Sequence, residues 1–349
     1  MLTAQGRRHP LAARCCGRYD QPSGTPALKD KVMTAADSWQ SPWLLLCAAT
    51  LCSATMWPGT IAAGQAGAAE LQEIAAGVYV RPGRTAVLFE ADDVANLGLV
   101  IGSRCVAVID TGGSVAEGGA LDQAIGRLTD VPVCFVINTH VHPDHMLGNR
   151  AFRRDGVQFV GHQKLPRALA LRGDTYVRNA AEYTGGVADG SQIVLPERTV
   201  SGAVQLDLGE RMLVLRAHAT AHTDNDLSVL DVQTGTLFAG DLVFLEHLPV
   251  LDGSINGWLG ELDRLLGERF EHVVPGHGHA PAEWPAAGEP TAHYLTELRR
   301  STRDWIARGG ELAEAQEGIA AARPEQWQLI EQYHKRNVAA AFAELEWED

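Results

Sequence analysis

The chain is poor in the features that mark several large protein classes. Only six cysteines occur in 349 residues, and four of them (Cys15, Cys16, Cys47, Cys52) fall within the first 68 positions. The remainder keeps Cys105 and Cys134, too few for a disulfide framework. Both lie in apolar runs, where cysteine commonly packs as a small hydrophobe, so two buried thiols are expected; one bridge between neighbouring strands is the alternative. Basic charge is also short: 29 Lys and Arg face 43 Asp and Glu, a net of −14. That balance argues against nucleic acid or an anionic membrane as the main partner. No stretch matches the G-x-S-x-G elbow of serine hydrolases. No internal repeat or low-complexity tract follows residue 70.

The run "WLLLCAATLCSATMW" (43–57) is uncharged but shorter than the roughly 20 apolar residues of a membrane span. It sits in a segment of opposite charge, because residues 1–68 hold six Lys or Arg and three Asp, a net of +3 against −17 for the rest. Ala66 and Ala68 then give an A-x-A pattern before Ala69. A secretory signal cleaved near Ala68 is expected, and with it a periplasmic or secreted protein without stable membrane insertion. An uncleaved anchor or a disordered leader is the alternative. Arg7-Arg8 lies too far from the apolar run for a twin-arginine signal. Met33 is a second candidate start, although "MTAADSWQSPW" lacks the usual positive charge.

From Glu70 the sequence reads as short strands, "GVYVRPG", "TAVLFE", "NLGLVIG" and "RCVAVID", broken by Gly, Pro and acidic turns. "ALDQAIGRLTD" (120–130) has helical spacing and leads into the apolar strand "VPVCFVIN". This strand-helix-strand unit places its catalytic potential at the strand C-termini. A helix near 146–154 and the strand "VQFVGH" follow, then a polar, Gly-rich stretch over 171–198, expected to be irregular and a candidate lid. "VQLDLG", "RMLVLRAHA", "LSVLDVQTG" and "TLFAGDLVF" form a second strand set, and two such sheets with helices outside make a layered sandwich. Beyond Ala292, "HYLTELRRSTRDWIARGG" and "PEQWQLIEQYHKRNVAAAFAELEWE" have helical periodicity, divided by Gly309-Gly310 and Pro324.

"NTHVHPDHMLGN" (138–149) concentrates metal-seeking side chains on one turn. His140 and His142 are two apart, so an extended backbone aims both the same way. Pro143 turns the chain and lets Asp144 and His145 reach a second point. Imidazole and carboxylate suit zinc, and iron or manganese less selectively. Later segments offer His218 and His222 in "AHATAHTDND", Asp241 in "FAGD", and His277 and His279 in "VVPGHGHA".

"VIDTGG", "THVHPDH", "AHTDND", "FAGD" and "VPGHG", in this order over about residues 76–285, resemble the signatures of the metallo-β-lactamase superfamily. The resemblance implies an α+β fold, a four-layer αββα sandwich. It divides the chain into a leader (1–68), a hydrolase domain (69–290) and a C-terminal helical extension (291–349). It also implies that His140, His142 and His222 bind one metal, that Asp144, His145 and His277 bind a second, and that Asp241 bridges them. Asp110 matches an aspartate that orients the histidine loop. Two Zn2+ ions (iron or manganese as alternatives) would hold a water between them and lower its pKa toward ~7, giving a nucleophile at neutral pH, with Asp144 also able to take a proton. His218 and His279, off the motif register, are read as supporting or surface groups, and His162 as structural or pocket wall. Arg299, Arg300 and Arg303 are read as a solvated helix face.

Only 35 residues separate Asp241 from His277, too few for the insert of nucleic-acid-processing members, and an aspartate replaces the cysteine of some zinc β-lactamases. "HTDNDL", "LPERTVSG" and the closing "HKRNVAAAFAELEWE" are most similar to the quinoprotein relay system zinc metallohydrolases, a SoxH-like group. That likeness implies an exported hydrolase of a small ester, thioester or lactone, linked to oxidation of alcohols by pyrroloquinoline quinone (PQQ) enzymes. Three other readings stay open: a glyoxalase II-like thioesterase, an iron-dependent sulfur dioxygenase, and a non-catalytic, metal-dependent assembly factor for a periplasmic quinoprotein.

Overall fold

Alternation along the strands builds two apolar faces per sheet. In the computed structural model, which describes residues 70–85, 93–183, 186 and 190–348, a seven-stranded sheet runs in the order β1 (Gln72–Ala75), β2 (Val78–Arg81), β3 (Leu97–Ile101), β4 (Val106–Ile109), β5 (Val133–Ile137), β6 (Gln158–His162), β7 (Arg198–Val200). Its strands are antiparallel up to β4 and parallel from there. A five-stranded sheet has the order β12 (His272–His277), β11 (Thr236–Phe244), β10 (Leu227–Asp231), β9 (Met212–Ala217), β8 (Ala203–Asp207).

Period-two geometry sends successive side chains to opposite faces. In β4, Ala107 and Ile109 enter a core with Leu213, Leu215, Val229 and Phe238 of the other sheet. Val106 and Val108 point the other way, onto Leu121 and Ile125 of the helix α1 (Val115–Leu128). In β11, Phe238 joins the inner core, whereas Leu237 and Ala239 face Trp258 and Leu262 of α4 (Ile255–Leu266) and Leu295 of α5 (Glu289–Ala307). The chain is therefore the expected four-layer sandwich of helix, sheet, sheet and helix, with C-terminal helices. After α5 come α6 (Leu312–Gly318) and α7 (Ile330–Leu345), which add Ala315, Val338, Ala341 and Phe342 to the core beneath α4 and β11. Between the sheets Arg211 is ion-paired through two hydrogen bonds to Asp231 and donates to the Ile101 carbonyl, a buried cross-tie at the end away from the histidines.

Two expectations are corrected. Residues 171–183 are not irregular but belong to α3 (Leu165–Tyr183), a helix whose Leu165, Ala168 and Leu169 pack under Val141, Met146 and Leu147. Buried apolar spacing of three and four residues outweighs its interior Gly173. Part of the stretch after it lies outside the described residues. Cys105 and Cys134 are not free thiols but a disulfide, with Cα atoms 5.6 Å apart. Parallel pairing of Val106 with Val133 brings the two residues beside them into reach. The bridge closes a loop with a sequence separation of 29, and restricting such a loop in the unfolded chain stabilises a fold by about 3.5 kcal/mol. Reduction, or replacement of both cysteines by serine, should lower the denaturant midpoint accordingly; an unchanged midpoint would show that the pair closes no loop in solution.

The expected helix near 146–154 is a four-residue helical turn, α2 (Pro143–Met146), running into a 3-10 turn over Leu147–Phe152. The expectations for residues 1–69, and most of "TAVLFE", lie outside the described residues. Among the described residues, no helix is long and apolar enough to cross a membrane.

Candidate metal centre

All the histidine-bearing loops meet at one end of the two sheets. The loop after β5 carries His140 and His142 and runs into α2 with Asp144 and His145; the β9–β10 loop carries His222; Asp241 sits in β11, and His277 ends β12. The pairing of β11 with β12 is irregular around Gly240, and such a bulge re-aims the next side chain. Gly240 has φ +53°, and a Cβ on Gly276 would lie 1.9 Å from Asp241 Oδ1. Gly276 therefore makes room for that carboxylate, and Gly240 for the Thr139 side chain.

The side chains form two groups, His140, His142, His222 and Asp241, and Asp144, His145 and His277; within each, the ligand atoms lie within 4.8 Å of one another. Asp241 faces both. Its Oδ2 is 3.6 Å from His140 Nε2, 3.3 Å from His222 Nε2 and 3.4 Å from His277 Nε2, and its Oδ1 is 3.1 Å from His145 Nε2. Asp144 Oδ2 is 3.3 Å from His277 Nε2 and 3.6 Å from His145 Nε2.

Each of the five histidines has its other ring nitrogen tied to an outer acceptor. His145 Nδ1 donates to Asp110 (2.8 Å), His222 Nδ1 to the Val250 carbonyl (2.6 Å), and His277 Nδ1 to the Val94 carbonyl (3.1 Å). His142 is reversed: Nε2 donates to Asp252 (3.1 Å) and Nδ1 turns inward, 2.9 Å from His222 Nε2. His140 Nδ1 lies 3.0 Å from the Thr139 hydroxyl, which itself donates to Asp110 (2.7 Å) and so has only a lone pair left for the ring. An acceptor on one nitrogen fixes the proton there and leaves a lone pair on the other. With the rings neutral, five lone pairs and two carboxylates converge in a buried space, and His140 Nε2 has no hydrogen-bond partner among the described residues. Acceptors facing acceptors need a cation, and this donor set fits divalent metals of the zinc type.

Electrostatics without a metal express the same crowding. Burial, reinforced by the neighbouring His145, holds His140 well below the usual imidazole range, and burial pulls His222 to about 3. Burial disfavours charge on His145 too, yet Asp241, Asp144 and Asp110 outweigh it and raise that ring well above its ordinary value; His277 is also raised, chiefly by Asp241 against burial. Despite its burial Asp241 is held well below the carboxylate range by His277, His145 and His140.

Asp110 lies at φ +59° and accepts from the Thr139 amide (2.8 Å) as well as from Thr139 Oγ1 and His145, so it braces the loop on which the cluster hangs. His218 is buried against Glu261 and Ser228, His162 is buried with Nδ1 accepting from the Lys164 amide, and His279 is exposed beside Glu246. None of the three enters the cluster. Arg300 pairs with Glu297 and Asp304, and Arg303 with Glu348, on the surface. Sequence reasoning missed Asp252, Val250 and His247, whose ring lies 3.4 Å from His277 Nδ1 and is pulled by burial to about 4. Asp252 acts on His142 across 110 positions, and no spacing rule reports such a partner.

A two-sheet sandwich with a His/Asp cluster at its loop end defines a metal-dependent hydrolase class of fold. The family model of the metallo-beta-lactamase superfamily matches residues 91–277, and the chain belongs to that superfamily, whose members are generally hydrolases. Among solved structures, a metallo-beta-lactamase from Pontibacter korlensis is 21% identical, with 65% of this chain and 98% of that one covered and a TM-score of 0.54. A double mutant of the sec-alkyl sulfatase PisA1 is 18% identical over 80% of this chain and 51% of that one, with a TM-score of 0.62. The metallo-beta-lactamase IND-7 is 16% identical over 65% and 97%, with a TM-score of 0.53. At these identities the likeness is one of fold. No curated protein matches the chain.

Proposed function

We propose that the protein is an exported two-zinc hydrolase of a small ester, thioester or lactone. The observation that carries the reading is the set of five histidines whose protons are all directed outward and whose free nitrogens converge on Asp241 and Asp144. His140, His142 and His222 would hold one ion, Asp144, His145 and His277 the other, and Asp241 both. Two dications there would supply an acidified water and polarise the substrate's acyl oxygen. Asp144, with 23% of its side chain exposed, is open to solvent at this cluster and can accept a proton from the attacking water at Oδ. Asp110, Asp252 and the Val250 carbonyl keep the rings in their metal-facing tautomers. Export is supported by the leader composition and by the Cys105–Cys134 bridge, since disulfides persist in oxidising compartments. The link to PQQ-dependent alcohol oxidation rests on the short motifs "HTDNDL" and "LPERTVSG" and on the closing helix.

Metal analysis of the purified full chain followed by a substrate panel tests this. Two zinc ions per chain are expected, with turnover of at least one ester, thioester or lactone that a chelator abolishes and zinc restores. A sec-alkyl sulfate belongs in the panel because one structural neighbour is a sulfatase of that kind. A single iron, or no hydrolysis of any acyl substrate by zinc-loaded protein, would sink the reading.

A further inference from the structure

One loop holds two of the five histidines, and the C-terminal helix α7 is its main brace around Val250, with Arg172 of α3 on Asp252. Between β11 and α4, Val250 accepts from His222 Nδ1 and Asp252 from His142 Nε2. The stretch has no regular structure of its own to fix those two acceptors. Arg172 of α3 pairs with Asp252 Oδ2, the Asp252 amide donates to the His222 carbonyl, and α7 fixes the backbone around Val250. Asn337, fully buried, donates from Nδ2 to the Pro249 carbonyl (2.6 Å) and accepts at Oδ1 from the Leu251 amide (2.9 Å), so it clasps the backbone on both sides of Val250. One residue earlier Arg336 reaches Asp252 Oδ1 (3.4 Å). Two turns further on, Glu344 accepts from the Ser254 hydroxyl (2.9 Å) and the Ile255 amide (2.7 Å), closing the far end of the loop.

Asn337 is itself held. The Ile319 carbonyl accepts from His334 Nε2 (2.9 Å), so His334 Nδ1 accepts from the Tyr294 hydroxyl (3.0 Å), which in turn accepts from Asn337 Nδ2 (2.9 Å). A buried chain in which every polar atom is satisfied has one low-energy arrangement. The second group leans elsewhere: His145 on Asp110 and His277 on Val94, both in the other sheet's loops, while His247, the part of the β11–α4 loop beside His277 Nδ1 (3.4 Å), is braced by Leu245 and Gln328, before α7 begins.

We propose that Asn337 is a positioning residue for one half of the metal centre: through the 249–252 loop it fixes the tautomers of His142 and His222, and leaves His145 and His277 untouched. The C-terminal helix then governs one ion and not the other. Loss of an outer partner typically weakens metal binding by about 10–100-fold. The inference rests on the two-ion reading above.

The test uses zinc-loaded full chain and its Asn337→Ala variant, with chelator competition and the ring-nitrogen NMR signals of 15N-histidine protein. One of the two zinc affinities should fall by about 10–100-fold while the other holds, and the signals of His142 and His222 should shift while those of His145 and His277 stay. A merely structural residue would weaken both sites together. Equal weakening of both sites, or no change in either, overturns the proposal. If the variant does not fold, Asn337→Asp replaces it; aspartate still accepts from the Leu251 amide but cannot donate to the Pro249 carbonyl, so the His142 and His222 signals should still shift, and their silence overturns the proposal. Wild-type protein holding fewer than two ions would defeat the two-ion reading, and the histidine signals would then still decide the positioning role.

Discussion

Asp241→Asn should reduce bound zinc from two equivalents to one or fewer and cut turnover by about 10³-fold. The carboxylate is buried, and its two oxygens face four imidazoles drawn from both ligand groups. Asparagine has the same shape, so the cramped fit against Gly276 survives and the fold with it. Charge is what changes. Asp241 is the buried carboxylate that faces both ligand groups, whereas the partly exposed Asp144 faces one, and removing the charge of Asp241 costs the transition state about 4 kcal/mol of metal-derived stabilisation, which at about 1.4 kcal/mol per decade is the stated loss. The pH dependence changes as well. In the metal-free protein Asp241 raises both His145 and His277, so those rings hold protons that zinc must displace, and wild-type affinity falls as pH is lowered. The variant lacks that carboxylate, its rings release protons more readily, and its weaker affinity should vary less with pH. Mass-spectrometric metal counts and chelator competition at several pH values measure both effects. Two tightly held zinc ions with turnover within tenfold of wild type would remove Asp241 from its proposed place between the ions.

The cluster was legible because its signals are local. His140, His142, Asp144 and His145 occupy one turn and stand out by spacing, whereas His222, Asp241 and His277 are picked out from neighbours such as His218 and His279 by the resemblance of their short Gly- or Ala-rich segments to the superfamily signatures. What holds them was not legible. Asp252, Val250 and Asn337 act through the backbone of an irregular loop, and their partners are 28 to 110 positions away. The layered fold was readable from strand alternation and helical periodicity. Misreadings arose where composition and tertiary context disagree: Gly173 and the glycines beyond Tyr183 disguised α3, whose regular apolar face becomes decisive only against Met146 and Leu147. The Cys105–Cys134 bridge depends on the register of a parallel pair formed across a 29-residue separation, which no local pattern encodes.

Asp144→Asn separates catalysis from metal binding. Asp144 occupies the first turn of α2 behind Pro143, near His145 and His277, and has more of its side chain exposed than Asp241, His140, His145 or His277. An asparagine there keeps one oxygen directed at the second group and keeps the helix start, so zinc content should stay near two. It cannot accept a proton. Positioned proton transfer contributes about 10²–10⁴-fold to rate, so kcat should fall by that factor with KM little changed, because binding of the neutral acyl substrate does not use this oxygen as a base. A kcat that falls only in proportion to lost zinc would make Asp144 a ligand and nothing more. The assembly-factor reading predicts a different result, no altered phenotype once metal is retained. A fully loaded but slow variant is therefore the outcome that selects a hydrolase over a metal-stabilised binding protein, because it changes one proton acceptor and leaves the ions, the loops and the surface as they were.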